Sequence, residues 1–127
     1  MTAAIFNDKV SEFLKELQNA YPEIDQFKRL KAAFNLLSSV QEDAPVKIFK
    51  RVVLDRFKDK ILSSNEDFFL DYADYDGIEN YSKRPEYWAD FFEQLKSLWK
   101  DMSQDNKDAI WKYMKLLVLL GEAVGVR

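Results

Sequence analysis

The densest run of chemically capable side chains lies between residues 66 and 81. There Glu66, Asp67, Asp71, Asp74, Asp76 and Glu79 are interleaved with Phe68, Phe69, Tyr72, Tyr75 and Tyr81. Oxygen-rich stretches of this kind can coordinate Ca²⁺ or Mg²⁺, and the EF-hand loop requires glycine at its sixth position and a bidentate acid at its last. Placing Gly77 sixth puts Tyr72 first and Lys83 last. The pattern fails, and neither a metal nor any other cofactor is predicted. Paired carboxylates also serve glycoside hydrolysis, which needs two acids flanking a sugar in a cleft, but no pair stands apart among the 22 acids of this chain. Recognition is the chemistry that remains. Tyr72, Tyr75 and Tyr81 would be aromatic anchors, with Asp71, Asp74 and Asp76 steering a basic protein partner. The plain structural alternative is a solvated acidic loop pinned to the core by its aromatic residues.

A second constellation is basic. Between Lys28 and Lys60 nine lysines and arginines face only Glu42, Asp43, Asp55 and Asp59. Helical spacing puts Lys47, Arg51 and Lys58 on one outward face, with Asp55 placed to pair with Arg51 and Lys58. Together with Lys50, these cations are the candidates for sequence-neutral contact with phosphates in an alternative nucleic-acid role. The alternative is an ordinary solvated face attracted to the acidic stretch of the same or a neighbouring copy. Among the aromatic residues, Trp88, Trp99 and Trp111 fall on or beside helical stripes and are expected in the core. Tyr87 and Trp111 lie off the main stripes and would anchor a protein interface if exposed.

The missing residue types exclude much else. Without histidine or cysteine there is no Cys/His zinc site, Ser-His-Asp triad or thiol nucleophile. Three scattered glycines, Gly77, Gly121 and Gly125, build no phosphate-cradling loop. The net charge of −3 is mild, but residues 1–63 hold 11 basic against 9 acidic side chains and residues 64–127 hold 8 against 13. No secretory or transit segment is evident at the N-terminus, and the apolar run Leu116–Leu120 is far short of a membrane span. An intracellular setting is expected.

The elements that must carry these groups are helices. In a chain of 127 residues, Phe6, Val10, Phe13, Leu14 and Leu17 mark a first helix over Ala4–Ala20. Pro22 opens a second, with Ile24, Phe27, Leu30, Phe34 and Leu37 as its stripe, fading at Ser38-Ser39. Pro45 opens a third, carrying Val46, Phe49, Val53, Phe57 and Ile61 over roughly four turns and broken at Ser63-Ser64-Asn65. A short helical turn at Glu66–Leu70 precedes an irregular segment through Arg84. Pro85 opens a fourth helix bearing Trp88, Phe91, Phe92, Leu95, Leu98, Trp99 and Met102. Ser103 is the expected N-cap of a fifth, supported by Asp105 and Asp108. The fifth helix is apolar on nearly every side and is expected at the centre of the bundle, ending at Gly121 or Gly125. The whole reads as one all-α domain of about five helices.

Six blocks carry a family resemblance: Phe13-Leu14-Lys15-Glu16-Leu17, Tyr21-Pro22-Glu23, Lys60-Ile61-Leu62, Glu66-Asp67-Phe68-Phe69-Leu70, Leu95-Lys96-Ser97-Leu98-Trp99 and Asn106-Lys107-Asp108-Ala109-Ile110-Trp111-Lys112-Tyr113-Met114. In order, they resemble small proteins of large double-stranded DNA viruses of algae and protists. That family has no assigned activity, so the resemblance implies no catalytic or binding residues. It implies a viral setting, in infected-cell cytoplasm or in the virion. The expectation is therefore a non-enzymatic interaction or structural protein that binds a protein partner through its acidic-aromatic surface, with self-association compatible.

Overall fold

The computed structural model describes residues 2–66 and 87–124. These form six α-helices and one π-helical turn, in the order α1 (Ala3–Ala20), α2 (Asp25–Val40), α3 (Ala44–Phe49), the π turn (Lys50–Leu54), α4 (Asp55–Leu62), α5 (Tyr87–Trp99) and α6 (Gln104–Ala123). The all-α bundle expected from periodicity is what the chain adopts.

Helix α1 buries Phe6, Val10, Phe13, Leu14 and Leu17 along the three- and four-residue steps that define one helical face. It ends where Tyr21 N–H reaches the Leu17 carbonyl, and Pro22 cannot extend it. Helix α2 returns with Phe27, Leu30 and Phe34 buried, and its contacts with α1 are the most extensive between any two helices. The side-chain nitrogen of the buried Asn7 donates to the Glu42 carbonyl at 2.7 Å, tying α1 to the turn that feeds α3. Ser103 caps α6 as expected, its hydroxyl accepting from Asn106 N–H at 3.2 Å.

The third helix of the sequence reading is one rod interrupted by the π turn. Its apolar stripe runs Phe49, Val53, Phe57, Ile61, three four-residue steps in a row. On a plain α-helix each such step overshoots a full turn by about 40°, so the stripe would drift about 120° across the rod. The wider π turn absorbs one residue and takes back about 100°. All four side chains accordingly stay in the core.

Two further expectations are corrected. Helix α6 is not enclosed on every side: Leu119 is 58% exposed. A run of five apolar residues spans more than one turn and must point partly outward. Helix α1 packs on α2, α3 and α6 and sets Phe13 edge-on against Phe91 of α5 at 5.3 Å. Gly121 does not stop α6, which continues to Ala123. A Cβ at position 121 would lie 3.3 Å from the Phe49 ring, so this glycine permits close approach to the rod. Gly125 lies outside the described residues.

Helix α4 ends in a Schellman arrangement, with Ser64 N–H on the Ile61 carbonyl at 3.1 Å and Asn65 N–H on the Lys60 carbonyl at 2.8 Å. Ser64 takes the left-handed conformation, φ 53°, where glycine is usual and a Cβ is penalised. Ser64→Gly should therefore raise stability by about 0.5–1 kcal/mol, the relieved strain exceeding the entropy added to the unfolded chain. A shift of the urea midpoint to higher concentration checks this.

Candidate functional site

Asp71, Tyr72, Asp74, Tyr75, Asp76 and Tyr81, the acidic-aromatic candidates, lie outside the described residues, as do the side chains of Tyr87 and Trp88. The basic candidates are described. Lys47 pairs with Asp43 at 3.1 Å and holds that carboxyl below the usual carboxylate range. Lys50 donates to the Val124 carbonyl, and Lys58 pairs with Glu122 at 2.5 Å, which raises its own pKa. Arg51 is exposed.

Asp55 does not bridge Arg51 and Lys58 as the α-helical spacing predicts. Lys50 and Lys58 stand eight positions apart, about 80° around a plain α-helix, and the extra residue in the π turn brings them to within about 20° of each other. Both thus face α6, whose own last turn has no basic residue. They supply the cations that a helix C-terminus favours.

The acidic-aromatic chemistry that is described lies between α1 and α6. A slot of about 70 Å³ is lined by Phe13, Glu16, Leu17, Ala20, Tyr21, Asn106, Ala109, Ile110 and Tyr113. Tyr21 stands toward one end, its hydroxyl accepting from the Asn106 amide at 3.3 Å. Tyr113 stands toward the other, stacked on Phe13 with ring centroids 4.7 Å apart. Its hydroxyl donates to Glu12 at 3.1 Å, and Glu12 is also paired with Lys9 at 3.1 Å. The Lys9 ammonium and the Tyr113 hydroxyl hold the Glu12 carboxyl below its ordinary value. Burial, then the hydrogen bond and charge of Glu12, then the charge of Glu16, push the Tyr113 phenol up to about 12. Glu16 is exposed and has no cationic partner among the described residues.

On another side of α6 lies an open groove of about 780 Å³ with Ser64, Asn65, Glu66, Gln104, Lys107, Asp108, Trp111, Lys112 and Lys115 on its walls. Its acids are engaged. Glu66 accepts from the Trp99 indole and lies 3.7 Å from Lys107, while Asp108 accepts from Gln104 at 2.8 Å. Lys107 also stands 5.4 Å over the Trp99 ring. Lys112 and Lys115 have no acidic partner among the described residues. Trp111 is only 6% exposed and meets Trp99 edge-on at 5.6 Å, so it packs rather than anchors an interface.

Neither surface was singled out by the sequence reading. For the groove a signal existed: Lys107, Trp111 and Lys115 recur every fourth residue, within a half of the chain that is acidic in total. For the slot, Glu12 and Tyr113 are 101 positions apart, and only the fold joins them.

Among the described residues no group of three or more His, Cys, Asp or Glu side chains is placed to hold a metal ion, and no helix is long and apolar enough to cross a membrane. Comparison with protein-family models, with curated proteins and with solved structures finds no match to this chain.

Proposed function

We propose that this chain is a non-enzymatic interaction domain that binds a basic protein partner through acidic-aromatic surfaces. The observation that carries this reading is Glu16: an exposed carboxylate at an aromatic slot, with no ion-pair partner among the described residues, the same pairing of residue types that residues 71–81 hold in sequence. Exposed carboxylates steer a cationic partner and fix its register, and tyrosine supplies rigid contact area. A viral setting enters this reading only through the sequence blocks that resemble viral proteins.

Capture of partners by the tagged chain tests the reading. Proteins retained at low salt should be basic and should be lost progressively as salt rises. Glu16→Gln, and separately the triple change Asp71→Asn, Asp74→Asn and Asp76→Asn, should each reduce that retention. Retention indifferent to both changes and to salt would overturn it.

A second reading, a nucleic-acid accessory role, is favoured by one observation, Lys112 and Lys115 beside the groove with no acidic partner among the described residues. Against it, Lys47, Lys50 and Lys58 are engaged within the chain, and the buried Trp111 offers no platform on which bases could stack. Binding to DNA or RNA that falls steeply with salt and disappears in Lys112→Glu/Lys115→Glu would establish it over the first.

A further inference from the structure

We infer that the slot between α1 and α6 is a receptor for an alkylammonium group, the side chain of a lysine on the partner. This rests on the reading of the chain as a binder of basic proteins and names the group recognised.

Three features of the slot converge on that ligand. Its depth is apolar: Leu17, Ile110 and Phe13 line it and are themselves buried. They suit methylenes, each worth about 0.8 kcal/mol when fully buried. Its sides are open because Ala20 and Ala109 are too small to close the space between the helices, and both are exposed. Three of its polar side chains favour a cation. Glu16 has no counter-ion among the described residues, the Tyr113 hydroxyl has its proton committed to Glu12, and the Tyr21 hydroxyl already accepts from Asn106. Each phenol oxygen retains acceptor capacity.

An anion would meet the carboxylates of Glu12 and Glu16, and Lys9 is already paired with Glu12. A neutral apolar group would fill the slot but leave Glu16 unused. A lysine side chain answers every part: a flexible four-carbon stem for the apolar walls and a compact ammonium with three donors for the carboxylate and the phenol oxygens. The aromatic lining adds cation–π attraction, about 0.5–1 kcal/mol at an exposed site. Arginine matches less well, because its planar fork is built for a carboxylate approached bidentately rather than for a narrow slot with one acid at its edge.

The test uses n-butylammonium, the lysine side chain without its backbone, followed by NMR on the full chain. The ring resonances of Tyr21 and Tyr113 and the methyl resonances of Ala20 and Ala109 should shift together and saturate. n-Butanol, of the same shape without the charge, should produce much smaller shifts. Glu16→Gln, an exposed substitution that leaves the packing intact, should weaken butylammonium binding about two- to fivefold, the worth of one exposed ion pair. Ala109→Leu should abolish it by filling the slot. Absence of saturable shifts, or equal response to n-butanol, would overturn the inference. If butylammonium leaves the rings unmoved while partner capture still depends on Glu16, the lysine slot fails and the acidic interaction surface stands.

Discussion

Replacing Phe49 with alanine should cost the folded chain about 3–5 kcal/mol, the range for a fully buried aromatic residue. The ring is 1% exposed. On one side it meets Phe6 of α1 with centroids 5.2 Å apart. On the other it approaches the backbone of α6 at Gly121, where a Cβ would stand 3.3 Å from its Cδ2. A cavity there is hard to collapse. The facing residue is a glycine with no side chain to swing in, and the position directly precedes the π turn, whose geometry fixes how the rod presents Val53, Phe57 and Ile61. The residual void should therefore persist, adding its own cost to the lost transfer energy. For a chain of this size the change corresponds to a fall in Tm of about 15 °C. Urea unfolding followed by far-ultraviolet circular dichroism measures it. The midpoint should fall with the slope unchanged, and a loss below about 1 kcal/mol would mean the rod repacks around the gap.

Most of the fold was legible because its signals are local. Pro22 marks where α1 cannot continue, although α2 begins only at Asp25; Pro45 sits in the first turn of α3, and Ser103 with Asp105 marks an N-cap. The π turn was legible only in part. The unbroken run of four-residue steps from Phe49 to Ile61 contains it, since a plain α-helix cannot keep that stripe straight. Read as plain α-helix, the same spacing puts Lys58 on the outward face of Lys47, whereas the extra residue rotates Lys50 and Lys58 onto α6. Of the two glycines expected as the stop of α6, Gly121 lies inside the helix, and the ambiguity has a related cause. Glycine near a helix end signals a stop or a close contact, and only the partner, Phe49, decides which.

The slot was not legible because its members have ordinary local explanations. Glu12 and Glu16 sit on the polar side of α1, and Ala20 reads as a helix end. Tyr113 reads as one more aromatic residue in an apolar stretch. Antiparallel packing of α1 on α6 brings position 13 beside 113 and position 21 beside 106, and a gap framed by two alanines exists only in that register. Helical periodicity sets which face a residue joins. It does not set which residue lies opposite.

That register is tested most sharply at Gly121. Gly121→Val should destabilise by about 2 kcal/mol: overpacking costs about 1–3 kcal/mol, and valine's better helix propensity returns only a few tenths. The branched side chain would add two methyl groups beyond a Cβ already 3.3 Å from Phe49 Cδ2 and 3.5 Å from Leu54 Cδ1. To relieve the overlap α6 must move from the rod, straining the contacts of Lys50 with Val124 and of Lys58 with Glu122. Gly121→Ala should be close to neutral. Its Cβ needs the ring to yield by a few tenths of an ångström, and the propensity gain of about 1 kcal/mol offsets this. In the Phe49→Ala background the valine should become stabilising, because it enters the volume the ring has left. The double-mutant cycle should then show a favourable coupling of more than about 2 kcal/mol, in the upper part of the range for residues in direct contact. Additive losses would place positions 49 and 121 apart and overturn the packing of α6 against the π-containing rod.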